Sequence, residues 1–319
     1  MALFGKKKRN AQADWIAFDQ GPHDLAWASV SPSKTPGGKP RVNRWQTLAL
    51  DALAARDESA LAELRAAGSA LRRSLVLGRE DYKIMVVPEP PVPEPEIEQS
   101  LRWTLGTMLD FPVSEASIDW MPIPTRKELP NRPPHIYVIA ARRSAVLERA
   151  EPFAQNKLAL QAIDIRETAQ RNIAARIAAP DEGLGLISVN AQGILLTLCW
   201  NGELYLDRFI PEPLQTMLSG DAAHVEAALE RIVLQVQRSI DSLGRLIPFI
   251  SIDRMVVGPL PAPIPLQQHL EAGLSISVEN LDLASVFDLS VAGELVEAQA
   301  QARAFVALGA ALRGIQGDA

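Results

Sequence analysis

The chain has 319 residues, 47% of them hydrophobic, and a formal net charge of −6. That size and composition can bury a substantial core in one large domain or two lobes, and the acidic balance excludes the basic footprint of a nucleic-acid binder. The single cysteine, Cys199, excludes an internal disulfide and a cysteine-based zinc cluster; set in an apolar run, it reads as a small buried hydrophobe.

From the N-terminus, Lys6-Lys7-Lys8-Arg9 reads as a solvated basic segment. Its functional alternative is weak attraction to an anionic membrane surface, at about 1 kcal/mol per basic residue. The residues before it are too short for a signal-peptide core. No stretch approaches the ~20 apolar residues of a membrane span, so a cytoplasmic location is expected.

Residues 14–19, 25–30 and 41–48 read as a three-strand meander, with Gln20-Gly21-Pro22-His23-Asp24 as its first loop and the Pro/Gly/Ser-rich residues 31–40 as its second. Alanine- and leucine-rich residues 57–73 predict a helix, and 82–87 a strand. Residues 88–95 hold five prolines in eight positions, a stiff connector. Residues 96–109 then predict a helix with Ile97, Leu101, Leu105 and Met108 on one face. Strands are expected at 117–123 and 135–141, a helix at 142–157, a strand at 158–163 and a helix at 166–177.

A second meander starts at Leu184. Its hairpin turns at Asn201-Gly202, a pair suited to a type I′ turn because both central residues need positive φ. A long helix, 222–243, follows, then strand 252–257, helix 264–272, strand 274–278 and a final helix, 291–313. Three strands, a helix and a further strand therefore occur twice, starting near Trp15 and near Leu184.

Several segments resemble PilM-type type IV pilus assembly proteins. The opening Met1-Ala2-Leu3-Phe4-Gly5-Lys6-Lys7-Lys8 is one, and Glu96-Ile97-Glu98-Gln99-Ser100-Leu101-Arg102-Trp103 with Phe111-Pro112-Val113 and Ile118-Asp119-Trp120 is another. The run Ile163 to Asn172, Leu281-Asp282-Leu283 and the closing Ala307 to Arg313 are similar to the MshI branch, which serves the mannose-sensitive haemagglutinin (MSHA) pilus. The resemblance covers almost the whole chain. It implies an α/β actin-like ATPase (RNase H-like) fold in two lobes, with the duplicated β-β-β-α-β core and a small inserted α+β subdomain. The expected boundaries are a basic N-terminus over 1–13, a first lobe over 14–177 with its insertion at about 82–163, and a second lobe over 178–319.

The resemblance also implies a role at the cytoplasmic face of the inner membrane. Relatives hold the short cytoplasmic tail of a single-pass membrane protein, PilN-like or its MSHA counterpart MshJ, in a groove between the insertion and the first-lobe core. Glu96, Arg102, Trp103 and Trp120 are the candidate partner-binding residues. The closest competing reading is the cytoplasmic part of the type II secretion protein GspL, which is followed by a membrane span that this sequence lacks up to Ala319.

Active actin-like proteins grip nucleotide with three loops, and the residues at those places are Asp19 and Gly21, Ser188 and Asn190, and Gly258. In the first loop Pro22 removes a backbone donor, Ala26 stands where a lysine is usual, and Asp24 adds an anion. At an effective dielectric of about 20, like charges about 4 Å apart repel by roughly 4 kcal/mol. The second loop has Ser188-Val189-Asn190 in place of an acid, an apolar residue and glycine. The third, Val257-Gly258-Pro259-Leu260-Pro261, has one glycine and two prolines. The expectation is a degenerate site with no cofactor and no enzymatic activity; the alternative is weak ATP and magnesium binding that regulates docking. The histidines lack metal-ligand spacing, no phosphate-binding P-loop motif occurs, and no nucleophile accompanies Asp19, His23 and Asp24. No metal site and no catalytic residue is therefore expected.

Overall fold

A computed structural model describes residues 14–21, 24–50, 72–125 and 133–315, together with positions 53, 55, 57, 58, 61, 62 and 64. The basic run 6–9, Pro22, His23 and much of the expected helix 57–73 lie outside the described residues.

Two five-stranded sheets share one plan. In the first, β1 (Trp15–Gln20), β2 (Asp24–Ser31) and β3 (Arg41–Ala49) form the antiparallel meander, and β4 (Arg72–Val76) and β8 (Ala162–Asp164) add in parallel, in the order β3-β2-β1-β4-β8. The second sheet repeats this with β9 (Gly183–Val189), β10 (Ile194–Trp200), β11 (Glu203–Ile210), β12 (Arg254–Val257) and β13 (Ser277–Asn280), in the order β11-β10-β9-β12-β13. The hairpin turn has φ +48° at Asn201 and +73° at Gly202, the positive values expected of this pair.

Between β4 and β8 the chain builds a third sheet, β5-β7-β6, from β5 (Tyr82–Pro88), β6 (Ala116–Pro122) and β7 (His135–Arg142). Helix α1 (Ile97–Leu105) buries Ile97, Leu101 and Leu105 against this sheet. Helix α2 (Arg143–Gln155) follows β7 and sends Phe153 into the main core beside Phe18, their ring centroids 4.8 Å apart.

Helix α3 (Arg166–Ile177) continues from β8, yet it packs over β9, β10 and β11 of the second sheet. In the second half come the short α4 (Leu214–Met217), α5 (Ala222–Leu246) and α6 (Leu266–Gly273). Helix α7 (Ala298–Ala311) ends that half and packs back over β1, β2 and β4. Each half thus lends its last helix to the other sheet. The two helices touch closely at Gly309, where a Cβ would lie 2.3 Å from the Ala169 carbonyl oxygen.

Five expectations differ in detail. Strand β4 was not anticipated, because Arg72-Arg73-Ser74 hides the start of a buried parallel strand inside what reads as a charged helix end. The helix expected over 96–109 stops at Leu105, with Gly106 next, which leaves Met108 42% exposed instead of on the buried face. Strands expected at 158–163 and 274–278 form at Ala162–Asp164 and Ser277–Asn280, where a parallel neighbour is present to pair with. The final helix begins at Ala298, after a separate helical turn at Gly293–Val296.

Candidate functional site

Asp19, at the end of β1, is only 3% exposed and meets two arginines. Arg166, the first residue of α3, donates to its Oδ1 at 2.8 Å. Arg303 of α7 donates from Nη1 to its Oδ2 at 2.7 Å and from Nη2 to its backbone carbonyl at 3.1 Å. The same guanidinium grips Asp24 as a fork, Nε to Oδ2 at 3.0 Å and Nη2 to Oδ1 at 2.7 Å, a paired geometry that only arginine offers. Burial opposes the charge on Arg303, but Asp24 and Asp19 outweigh it and hold its pKa above the usual arginine value. Asp24 therefore is not a bare anion at the loop: its charge is neutralised from within the chain.

Gly21 donates its N–H to the Asp24 carbonyl at 2.8 Å, and a Cβ there would lie 2.5 Å from Asp24 Oδ1 and 3.2 Å from Arg303 Nη2. The glycine that would let backbone approach a phosphate here lets it approach a side-chain pair.

The second loop is closed differently. Ser188 Oγ donates to Gln170 Oε1 at 2.6 Å, and the buried Gln170 amide donates to the Leu186 and Leu195 carbonyls and to Thr197 Oγ1. Asn190 Oδ1 accepts from the N–H groups of Gln192 and Gly193 at 2.9 and 3.0 Å, fastening the β9–β10 turn. At the third loop Gly258 is buried, its N–H donates to the Ile187 carbonyl at 2.7 Å, and a Cβ would meet the Phe305 ring at 3.4 Å. Asp19, Gly21, Ser188 and Gly258 thus meet side chains of two helices, while Asn190 closes its own turn. Arg166 and Gln170 stand one turn apart on α3, and Arg303 and Phe305 lie on α7.

A cavity of about 210 Å³ adjoins the first loop. Gln20, Gly21, Leu50, Val76 and Gly78 line its first-sheet side; Glu80, Asp81 and, from α2, Arg149 line the side toward the inserted sheet. Arg149 donates to both Asp81 oxygens at 3.0 and 3.2 Å, which leaves Glu80, half exposed, as the acid less engaged by that guanidinium at 3.7 Å. None of Glu96, Arg102, Trp103 and Trp120 lines this cavity. Arg102 pairs with Glu98 one turn back on α1 and ties that helix to the Val113 carbonyl, while Trp120 packs on the apolar core of the inserted sheet. Glu96 is exposed, and Trp103 is 83% exposed on the outer face of α1.

Arg166, Arg303, Glu80, Asp81 and Arg149 were not among the residues that the sequence singled out. One signal was available: Arg303 is the only charged residue in the helix Ala298–Ala311, and a lone charge in an apolar helix asks for a buried partner. Cys199 is buried as expected, its thiol pushed up to about 12 by that burial, which makes it unreactive. Among the described residues no group of His, Cys, Asp or Glu side chains could hold a metal ion, and no helix is long and apolar enough to cross a membrane.

No protein-family model matches the sequence, and no curated protein matches it. Among solved structures, PilM in the PilM–PilN type IV pilus biogenesis complex superposes with a TM-score of 0.72 at 18% identity, over 96% of this chain and 100% of that one. A Bacteroides thetaiotaomicron protein of unknown function with an actin-like ATPase fold gives a TM-score of 0.46 at 9% identity, over 90% and 96% of the two chains. The cytoplasmic domain of EpsL, an inner-membrane component of the Vibrio cholerae type II secretion system, gives 0.42 at 11% identity, over 66% and 76%. The duplicated sheets with exchanged end helices are the actin-like ATPase fold, in the arrangement that PilM has.

Proposed function

We propose that this chain is a cytoplasmic adaptor of a type IV pilus assembly platform that binds a partner tail and turns over no nucleotide. The observation that carries the reading is the first loop: Arg303 and Arg166 already satisfy Asp19 and Asp24, the groups that a metal–nucleotide complex would have to recruit. Displacing a guanidinium held by charge-assisted bonds costs binding energy before any phosphate contact forms. The neutral Ser188 and Asn190, both engaged internally, offer a metal ion no carboxylate.

The partner follows from the cavity beside that loop. It lies between the first-sheet core and the helix that follows the inserted sheet, and its acids Glu80 and Asp81 suit an extended tail bearing a basic residue. PilM forms a complex with PilN, and we assign this chain a PilN-like partner, the cytoplasmic tail of a single-pass inner-membrane protein. The segments similar to MshI favour the MSHA-type pilus and an MshJ-like partner.

Two calorimetric titrations of the full chain test the reading. The synthetic cytoplasmic tail of a PilN-like protein is expected to bind at about micromolar Kd, near −8 kcal/mol, and magnesium–ATP no tighter than about millimolar, near −4 kcal/mol. Micromolar ATP binding would overturn the non-nucleotide half. A tail that does not bind would overturn the adaptor half.

A further inference from the structure

The single helical turn Arg79–Asp81 has two sides. Glu80 and Asp81 line the cavity described above, whereas Arg79 turns the other way, into a cluster of buried polar side chains. There Glu167, fully buried on α3, accepts a hydrogen bond from the Tyr82 hydroxyl at 2.5 Å. Arg79 lies over the rings of Tyr82 and Phe209, 5.2 and 5.8 Å from their centroids. Its Nε faces Glu167 Oε1 at 3.8 Å, and both of these atoms are buried without a hydrogen-bond partner. Asp207 of β11 is half-buried on the strand face of Phe209, two residues on, whose ring lies under Arg79, and it interacts electrostatically with Glu167 and with the buried Tyr137 of β7.

The elements that meet here are the inserted sheet (Tyr82, Tyr137), helix α3 (Glu167), the second sheet (Asp207, Phe209) and the turn itself. Two carboxyls share the Arg79 guanidinium; Arg166, whose charge also reaches Glu167, is hydrogen-bonded to Asp19, and Arg208 of β11 is exposed. With both carboxyls ionised the cluster carries an excess negative charge; with one protonated it is balanced. Burial first, and Glu167 second, push Asp207 from 3.8 up to about 7. Burial raises Glu167 as well.

We propose that the turn Arg79–Asp81 couples the tail groove to this buried cluster, so that docking of a cationic tail expels one proton from the Glu167–Asp207 pair. The inference rests on the tail-binding reading above. A cation arriving beside Glu80 and Asp81 favours the ionised form of nearby carboxyls. By linkage, removing the proton must then strengthen tail binding by the same factor.

The test measures the tail peptide of the PilN-like partner against the full chain at about pH 6 and about pH 8, in two buffers of different ionisation enthalpy. Expected are release of one proton near neutral pH and an affinity higher at the alkaline end by about fivefold or more, within the usual range of coupled sites. Asp207→Asn should abolish both, with tail binding retained. A peptide-independent arm uses the free protein. A carboxyl raised to about 7 when folded keeps a proton that the unfolded chain loses above 3.8. The stability it contributes is full at low pH and is lost as pH rises through about 7. Asp207→Asn should therefore flatten the fall in Tm between about pH 5 and about pH 8. No tail binding at any pH would overturn the adaptor reading and this coupling together. Tail binding with no proton release and equal affinity at both pH values would overturn the coupling alone, whether or not the variant folds.

Discussion

The first loop of each sheet occupies the same place in a duplicated plan, yet the two have been closed by opposite means. Beside β1, two acids are answered by two arginines from different helices. Beside β9, a neutral serine and a neutral asparagine are answered by an amide and by turn N–H groups. The charged solution ties remote parts of the chain, since Arg303 lies 284 positions from Asp19. The neutral one stays local, Ser188 bonding to Gln170 18 positions away. The comparison teaches that equivalent loops of a duplicated fold can be closed either by counter-charges from distant helices or by neutral hydrogen bonds close at hand.

That contrast predicts unequal costs. Arg303→Ala leaves Asp24 without its fork and Asp19 with one arginine instead of two. Loss of one partner of a buried pair costs about 3 kcal/mol at the low end of the usual range, the appropriate end here because Arg166 remains and Asp24 is partly exposed. Urea unfolding should show it, and the loss should shrink when Asp24→Asn is added, a coupling read by a double-mutant cycle. Gly309→Ala comes next. Its methyl would be driven against the Ala169 carbonyl at the crossing of α3 and α7, and overpacking of this kind costs about 1–3 kcal/mol. The thermal midpoint should fall accordingly, by about 2–4 °C per kcal/mol for chains of 150 residues or more. Ser188→Ala should cost least, about 1 kcal/mol, because the bond it removes is neutral and Ser188 is only half-buried, so that water can replace the hydroxyl at Gln170 Oε1. If Ser188→Ala proved as costly as Arg303→Ala, the distinction between charged and neutral closure would fail.

Much of the second half was legible in the sequence. Asn201-Gly202 dictates its turn locally, and the apolar runs on either side leave little choice but a buried hairpin. The first half was harder to read. Strand β4 is short, begins with two arginines and alternates with nothing, so only its neighbours β1 and β8 give it a reason to be extended. At the candidate site, the strand-end placement of Asp19, Gly21, Ser188, Asn190 and Gly258 could be read, since strands and the loops after them carry their own local patterns. The residues that answer them could not. Arg166 opens one of the two helices that the halves exchange and Arg303 lies within the other, and no sequence spacing encodes that exchange.

The sequence by itself determined the alternation of strands and helices, the repeat of the meander, and the Asn201-Gly202 turn. Those depend on periodicity and on residues a few positions apart, which a linear chain displays directly. Only the tertiary structure decided that Asp24 is neutralised instead of repelling a ligand. It alone decided that Glu80 and Asp81 face a cavity, and that Arg79 turns from them toward Glu167 and Asp207. Each of these depends on charges brought together across the fold, where burial makes pairing obligatory and so determines which arginine meets which acid.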